Sequence, residues 1–352
     1  MRKTTRITFP RALGASALAV AVGAALAAGA AARGHAFAQV TDAAPFWSPN
    51  GGQIAFSSQV NGLWQIYTVN AAGGGRRQLT SGRLASIDPA WSPSGKLIAF
   101  SKVVDEQVIT AGHVYVMSPD GSGLREVTNG SGGYDQLLGW SPDGTKLQFD
   151  RVTNGVGAIY TVGTGGGGLH QLTPSPTDDD YWGVWSPSGK KIAFDRTSAS
   201  AFGDIWVMNA DGSGQTQLTM DPHDNFGSAW SPDSSKIAFM SNRSGHYQVY
   251  VMPATGGVPL QLSHAVKANA GEPVWSPDGT KIAFQQQVNG NYEIFVVNAN
   301  GAGTRQLTTV AYDNTDPAWS PSGKQIAFLT TRDGGSDIYV MNADGSGQRR
   351  LG

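Results

Sequence analysis

The sequence predicts an all-β protein: a seven-bladed β-propeller of four-stranded antiparallel blades, with its ring closed without strand exchange. Three observations predict this fold. A tryptophan recurs seven times at intervals of 44 to 49 residues, and a phenylalanine follows each one nine positions later. A second aromatic residue is then followed, twelve positions on, by Leu or Val. The anchor tryptophans are Trp47, Trp91, Trp140, Trp185, Trp230, Trp275 and Trp319.

Each copy of the repeat reads as four short strands joined by polar turns. The first strand ends at the tryptophan, and a turn of the type Ser-Pro-Asp-Gly follows, in which proline presets φ and glycine closes the turn. The second strand is of the type Lys-Ile-Ala-Phe and the third of the type Asp-Ile-Tyr-Val-Met. Asn-Ala-Asp-Gly-Ser-Gly then leads into a fourth strand, Arg-Gln-Leu-Thr. No segment shows helical periodicity.

The spacing separates two kinds of connection. The turn after the tryptophan and the turn between the third and fourth strands keep one length in all copies. The connection between the second and third strands and the connection between copies both vary in length, and in an up-and-down blade these two emerge on the same side. Binding sites are commonly built from variable loops on a rigid scaffold. We therefore expect binding on this side, which we call the variable face.

The start of the chain predicts how the ring closes. A fourth-strand leucine stands about twelve residues before the next tryptophan, but the same count back from Trp47 reaches His35, inside a predicted leader. The first copy therefore has no outer strand to lend to the last. We expect the ring to close by side-chain packing alone.

The leader is predicted from composition. Four basic residues precede the uncharged, Ala-rich stretch 12–32, and Ala36-Phe37-Ala38 matches a signal-peptidase site, so we expect residues 1–38 to be a cleaved signal peptide and residues 39–352 to form the propeller. An uncleaved membrane anchor is the alternative, since 21 uncharged residues could span a bilayer. Export with cleavage is favoured, because Ala and Gly hold a helix poorly in lipid. This predicts no stable membrane span and a periplasmic or secreted protein.

Composition excludes several function classes. The chain has no cysteine, which rules out disulfides, thiolate metal sites and a cysteine nucleophile. Five of its 25 basic residues and none of its 26 acidic residues lie in the first 38 positions, so the mature chain carries a net charge near −6. A broad nucleic-acid-binding surface needs the opposite sign. No Gly-x-Ser-x-Gly motif of a serine hydrolase occurs.

The repeated phrases WSPDG, KIAF, DIYVMNADGSG and RQLT resemble the TolB-type β-propeller repeat, and the resemblance covers the whole mature chain. It implies a propeller that serves as a protein-interaction hub at the cell envelope. TolB proteins also carry an α/β domain before the propeller, and the eight residues before Trp47 leave no room for one, so we expect the propeller alone. Oligogalacturonate lyases, which resemble the same repeat family, use a metal held in the propeller channel.

Two groups of residues on the variable face are candidates for ligand binding. The first stands five positions before the anchor tryptophans, where Asp or Asn could offer acceptors to a ligand or could cap their own loops: Asp42, Asp135, Asp180, Asn225 and Asn314. The second is a set of aromatic residues that could bind a protein or carbohydrate or could shield blade edges: Tyr134, Tyr181, Trp182, Phe226 and Tyr312.

Other charged residues support fewer predictions. Arg151 and Arg196 directly follow Asp150 and Asp195, which suggests ion pairs between blades. Histidines on the variable face around the fifth copy could hold a metal, although their spacing matches no ligand motif: His223, His246 and His264. We predict no metal, no cofactor and no catalytic residue.

The sequence thus predicts a monomeric, exported, non-catalytic scaffold that binds a protein or peptide at the cell envelope through its variable face. Two alternatives stay open. One is an enzyme acting on a polysaccharide, lyase-like and with or without a metal; the other is a propeller that binds carbohydrate passively.

Overall fold

A computed structural model describes residues 41–103, 112–129, 133–175, 177–198, 202–309 and 311–352. The predicted signal peptide, residues 1–38, lies outside the described residues. The described part of the chain contains strands and turns but no helix, and thus no helix that could cross a membrane. The all-β prediction is confirmed.

The 28 strands of the described residues fall into seven consecutive groups of four, which we call units 1 to 7. The first strands are β1 (Thr41–Trp47), β5 (Ser86–Trp91), β9 (Tyr134–Trp140), β13 (Asp179–Trp185), β17 (Asn225–Trp230), β21 (Ala270–Trp275) and β25 (Asn314–Trp319). The second strands are β2 (Gln53–Val60), β6 (Ile98–Val103), β10 (Lys146–Thr153), β14 (Lys191–Thr197), β18 (Lys236–Ser241), β22 (Lys281–Val288) and β26 (Gln325–Thr330).

The remaining strands complete each unit. The third strands are β3 (Leu63–Asn70), β7 (Gly112–Met117), β11 (Val156–Gly163), β15 (Gly203–Asn209), β19 (Gln248–Pro253), β23 (Asn291–Asn298) and β27 (Asp337–Asn342). The fourth strands have two residues each: β4 (Arg77–Gln78), β8 (Arg125–Glu126), β12 (His170–Gln171), β16 (Thr216–Gln217), β20 (Leu260–Gln261), β24 (Arg305–Gln306) and β28 (Arg349–Arg350).

Within every unit the strands pair antiparallel in chain order. Units 1, 4, 5, 6 and 7 are separate four-stranded sheets, whereas units 2 and 3 are joined by a parallel bridge between Gly112 and Tyr134. Each first strand contacts the first strands of the units before and after it, and β1 also contacts β25. We call these seven the inner strands.

The core lies between neighbouring sheets. The phenylalanine nine positions after each anchor tryptophan is fully buried in all seven units, at 0% exposure. Each of these rings packs against the aromatic residue opposite it on the third strand, with centroids 5.6 Å apart for Phe149 and Tyr160 and 6.4 Å apart for Phe194 and Trp206. Burial of large aromatic side chains contributes strongly to the stability of a core of this kind. The spacing of the sequence repeat therefore identifies the residues that form the core.

The anchor tryptophans join one unit to the next. The Trp275 indole N–H donates to the Ala229 carbonyl at 3.0 Å, and Ala229 directly precedes the tryptophan of unit 5. The same bond links Trp140 to Ala90 and Trp230 to Val184. Trp47 donates in the same way to Ala318, in unit 7, at 3.0 Å.

Replacing Trp275 with phenylalanine tests this bond. The change leaves the Ala229 carbonyl without its donor. Trp185→Phe is the control, because the Trp185 indole nitrogen has no acceptor among the described residues. We therefore expect Trp275→Phe to lose more unfolding free energy than Trp185→Phe. The expected difference between the two variants is about 1 kcal/mol. Urea unfolding of both variants at equal slope measures it. Equal losses of unfolding free energy in the two variants would mean that the smaller ring, and not the missing hydrogen bond, causes the destabilisation.

Candidate functional site

The predicted Asp/Asn group lies at the starts of the inner strands, but its side chains are buried. Asp135 and Asp180 are each 0% exposed, and each accepts two hydrogen bonds from an arginine of its own unit. Asp135 contacts Arg151 Nε at 2.6 Å and its second amino group at 2.8 Å, and Asp180 contacts Arg196 at the same two distances. A bidentate pair of this kind satisfies both carboxylate oxygens.

The other three members have similar partners. Asp42 accepts from Arg76 at 2.9 Å, Asn225 from Arg243 at 2.8 Å, and Asn314 from Arg332 at 3.5 Å. The structure therefore places these residues in ordered side-chain networks inside each unit. Their role in ligand binding stays a prediction, and any ligand would meet their arginine partners first.

The arginines also cover the stacked aromatic pairs of the core. The Arg196 guanidinium lies 5.3 Å from the Phe194 ring centroid and 4.7 Å from that of Trp206. Units 1, 3, 5 and 7 repeat the arrangement, and in unit 2 Lys102 lies over Tyr115. The expectation that Arg151 and Arg196 pair between blades beside Asp150 and Asp195 is wrong. Their partners, Asp135 and Asp180, stand opposite them on the adjacent inner strand of the same sheet.

Asp150 and Asp195 instead link neighbouring units. Asp150 Oδ2 accepts the N–H of Trp182 at 3.1 Å, and Asp195 Oδ2 accepts that of Gly227 at 2.8 Å. Both acceptor groups are buried, which raises the pKa of Asp150 well above its usual range and that of Asp195 to about 8. The bond from Gly227 opposes the shift of Asp195 but does not overcome burial.

The raised pKa of Asp195 predicts how stability depends on pH. The folded protein binds this proton more tightly than an unfolded chain, in which an aspartate titrates near pH ~4. The stabilisation that Asp195 gives the folded protein is therefore fully present below pH ~4 and is lost as the pH rises through about 8. Asparagine can still accept from Gly227, so Asp195→Asn is expected to flatten this dependence. Melting temperatures of both proteins between about pH 5 and about pH 9 should diverge as the pH rises, and parallel curves would contradict the assignment.

The inner strands carry a bulge three positions before the anchor tryptophan. The bulge residue has a positive φ in six units, and in unit 5 it is Gly227. In units 1, 2, 4, 6 and 7 the position holds a side-chain-bearing residue, although glycine is the residue that adopts this backbone without strain: Ala44, Asp88, Trp182, Glu272 and Asp316. Because each inner strand contacts the inner strands of the neighbouring units, the bulges of successive units lie near one another.

Two of the bulge residues form an acidic pair. Glu272 is exposed, yet it stands among the inner strands, and the surrounding protein together with the nearby Asp316 charge raises its pKa to about 7. Burial raises the pKa of Asp316 to about 6. Among the ion pairs of the described residues, none involves Glu272 or Asp316. The bulges of units 6 and 7 therefore carry two carboxyl groups that are close enough to interact.

Three of the five predicted aromatic residues come together. The Tyr181 and Trp182 rings are 6.3 Å apart, and the Trp182 and Phe226 rings are 5.8 Å apart. Tyr247 continues the series, 5.0 Å from Phe226, and its hydroxyl donates to Asp224 at 3.3 Å. We call these four half-buried residues the aromatic row. It crosses from the inner strand of unit 4 to unit 5.

The other two predicted aromatics lie apart from the aromatic row. Tyr134 is buried against Trp64 and Ile87, so it packs between units 1, 2 and 3. Tyr312 is 47% exposed on the connection between units 6 and 7. Sequence reasoning missed Tyr247, Glu272 and Asp316. The signal for the acidic pair was present, since both residues stand three positions before an anchor tryptophan.

The histidines around the fifth copy are not grouped as metal ligands in the part of the chain that the structure describes. His223 Nδ1 contacts Asp221 Oδ1 at 2.9 Å on its own loop. Across the described ranges, no group of three or more His, Asp or Glu residues is arranged to hold a metal ion. The variable face does carry exposed apolar side chains: Phe202 at 48%, Met220 at 78%, Val266 at 87% and Tyr312 at 47%.

These features define a class of protein. Repeated four-stranded antiparallel sheets with adjoining inner strands make a β-propeller. The chain belongs to the TolB β-propeller domain family, whose model matches residues 24–181, 183–271 and 260–352. No curated protein sequence is significantly similar to it.

Solved structures share the fold at low identity. An oligogalacturonate lyase in complex with manganese is 15% identical with a TM-score of 0.70, and the match covers 86% of this chain and 90% of that one. TolB from Acinetobacter baumannii is 19% identical with a TM-score of 0.57, covering 85% and 79%. The β-propeller domain of the Trilobed protease from Pyrococcus furiosus, described as having an open velcro topology, is 14% identical with a TM-score of 0.66, covering 90% and 97%.

Proposed function

We propose that this protein is a non-catalytic scaffold that binds a protein or peptide partner at the cell envelope through its variable face. The observation that carries the proposal is the aromatic row, which lies on that face beside the exposed side chains of Phe202, Met220 and Val266. Exposed apolar groups amid polar loops are typical of protein-binding surfaces. Membership of the TolB propeller family, across nearly the whole chain, supports the same role.

We propose that the variable face belongs to a ring of seven blades that is closed without strand exchange. Three contacts between units 7 and 1 support closure: the Trp47 to Ala318 bond at 3.0 Å, the Asp42 N–H to Ser336 carbonyl bond at 2.7 Å, and the Arg349 to Ala71 carbonyl bond at 2.5 Å. Trp47, Leu329 and Leu351 also share one buried cluster. The open velcro topology of the Trilobed protease propeller is a precedent for such closure.

The location is part of the proposal. Residues 1–38 would direct export and be removed, leaving residues 39–352 as a monomeric propeller in the periplasm or outside the cell. A net charge near −6 on the mature chain disfavours nucleic acid as a partner. The proposed scaffold requires no cofactor.

Affinity capture with matched variants tests the scaffold. The test variant changes Met220, Val266 and Tyr312 to serine, on the variable face. The control changes Leu124, Leu169 and Val258 to serine, which are also exposed but lie at the hairpins of the third and fourth strands. We expect envelope extracts to yield a partner that the wild type and the control retain and that the test variant loses. Retention by all three proteins, or by none, would refute the proposal.

A second candidate function is lyase-like action on a polysaccharide. It is favoured by the raised pKa of Glu272, which stands among the inner strands, since carboxyl groups with perturbed pKa values are candidates for proton transfer. The solved lyase with manganese shows that the fold hosts such chemistry in another protein. Incubation with oligogalacturonate, with and without manganese, tests it by the absorbance of unsaturated products. Turnover that Glu272→Gln abolishes would establish the enzyme.

A further inference from the structure

We infer that the partner segment is cationic and carries bulky apolar side chains, and that it docks between the aromatic row and the acidic pair Glu272 and Asp316. This inference rests on the proposed function and adds the chemistry of the partner and the sector of the face that receives it. Three observations support it: the exposed apolar side chains around the aromatic row, the proximity of the row to the acidic pair, and the excess of acidic residues in the surrounding loops.

Apolar surface comes from the loops around the aromatic row. Phe202 precedes β15, and the neighbouring Gly203 N–H donates to Asp224, which also accepts from the Tyr247 hydroxyl. Met220 lies on the connection that leads into Phe226, and Val266 lies on the connection that accepts hydrogen bonds from Gln248, next to Tyr247. Exposed apolar side chains that cluster on one surface, unlike scattered ones, mark a site for a partner.

The aromatic row and the acidic pair are continuous. Phe226 stands opposite Met240 in the ladder between β17 and β18. Met240 Sδ accepts the N–H of Glu272 at 3.2 Å, so one methionine lies beside both parts. Methionine adapts its shape to different apolar partners. A bound segment could therefore place an apolar side chain on the row and a cationic one at Glu272.

Charge selects a cationic partner. The five segments 174–183, 202–204, 220–227, 242–247 and 264–272 together carry seven acidic and two basic residues, and one of the acids, Asp180, is paired with Arg196 outside them. One of the two bases, Arg243, is already paired with Asp221 at 3.0 Å. Desolvation and, to a smaller extent, the nearby Asp316 charge raise the pKa of Glu272, and a cation placed beside the two carboxyl groups would stabilise their charged forms. An anionic partner would meet uncompensated repulsion.

The ring geometry disfavours a glycan at the same place. Successive rings of the aromatic row are inclined by 52°, 56° and 62°, so they offer edges and corners rather than one flat platform. Edges suit apolar side chains, and the ring faces suit Lys or Arg. An acidic polysaccharide would also be repelled by the acidic loops. A cationic peptide segment fits both observations.

Selection from a random library of 12-residue peptides displayed on phage tests the inference. The targets are the wild type, the Glu272→Gln/Asp316→Asn variant, and a control, Asp120→Asn/Asp344→Asn, that removes two charges from exposed tight turns. We expect peptides with Lys or Arg beside Trp, Phe, Leu or Ile. Their affinity should be about tenfold lower for the test variant than for the wild type and unchanged for the control. Their affinity for the wild type should decrease as salt is added.

Three results would overturn the inference: no enriched peptide, enriched peptides without basic residues, or equal binding to the test variant. Melting temperatures confirm that each variant is folded. If a protein partner still binds the variable face in affinity capture, the proposed function stands and only the chemistry assigned to the partner falls. Loss of partner binding in both experiments would remove the proposed function as well.

Discussion

Replacing Asp135 with alanine is expected to lower the free energy of unfolding by about 3 to 5 kcal/mol. Asp135 is 0% exposed and holds Arg151 through bonds of 2.6 and 2.8 Å. Removing it leaves the guanidinium largely buried, over Phe149 and Tyr160, without its counter-ion. An unpaired buried charge costs far more than the pair contributes. Denaturant unfolding of the variant, at unchanged slope, gives the value.

The double variant Asp135→Ala/Arg151→Leu is the control. Once the cation is gone, an apolar side chain can cover the same aromatic pair, so most of the lost stability should return. A double variant that is as unstable as Asp135→Ala would mean that Asp135 acts through other contacts, such as His113 at 3.8 Å. An Asp135→Ala protein as stable as the wild type would refute the structural role of the pair.

Replacing Phe194 with alanine is expected to cost about 3 to 5 kcal/mol. The ring is 0% exposed, packs against Trp206, and supports the Arg196 guanidinium at 5.3 Å. Alanine removes the ring from the packing between sheets and leaves a cavity that rigid strands close only in part. The shift of the urea midpoint at constant slope measures the loss.

Phe194→Leu separates volume from ring stacking. Leucine fills most of the space but cannot stack on Trp206 or lie under Arg196, so a smaller loss of about 1 to 1.5 kcal/mol is expected. Losses of equal size in the two variants would mean that the stacked geometry, rather than buried volume, dominates. A loss below about 1 kcal/mol for alanine would contradict the burial of this ring.

The fold was predictable because the repeat makes its core visible in the sequence. The spacing of Trp275 and Phe284 repeats in every copy, and both residues pack between sheets. The inner strands end at the anchor tryptophans, as predicted. The fourth strands were less predictable: the Arg-Gln-Leu-Thr segments supply only two ladder residues each, since Leu79 and its equivalents turn into the core.

The candidate site was only partly predictable, for physical reasons. Sequence position showed that Asp135 and Asp180 recur, but not that Arg151 and Arg196 satisfy them, because the partner is chosen by cross-strand register. The sequence carried a clue, since both pairs are separated by 16 residues. Tyr247 could not be assigned to the aromatic row, because its contact with Phe226 depends on how the connection between β18 and β19 lies against β17.

The acidic pair shows a different limit. Glu272 and Asp316 come together through the arrangement of inner strands from different units, 44 residues apart in the chain. Their backbones at φ 52° and 51° lie in a region that side-chain-bearing residues adopt at a cost, whereas unit 5 uses Gly227 there. Ala44 and Trp182 adopt a similar φ in units 1 and 4, so this backbone belongs to the bulge of the repeat, and only the residue types at Glu272 and Asp316 set the acidic pair apart.

Site-specific photo-crosslinking in living cells tests the central claim most directly. A photoreactive phenylalanine would replace Met220 or Tyr312 on the variable face, and Leu169 or Val258 as exposed controls away from it. The proposal of a binding scaffold predicts that one protein partner is crosslinked from Met220 and Tyr312 and from neither control. Adducts from the control positions alone, or from none of the four, would contradict it.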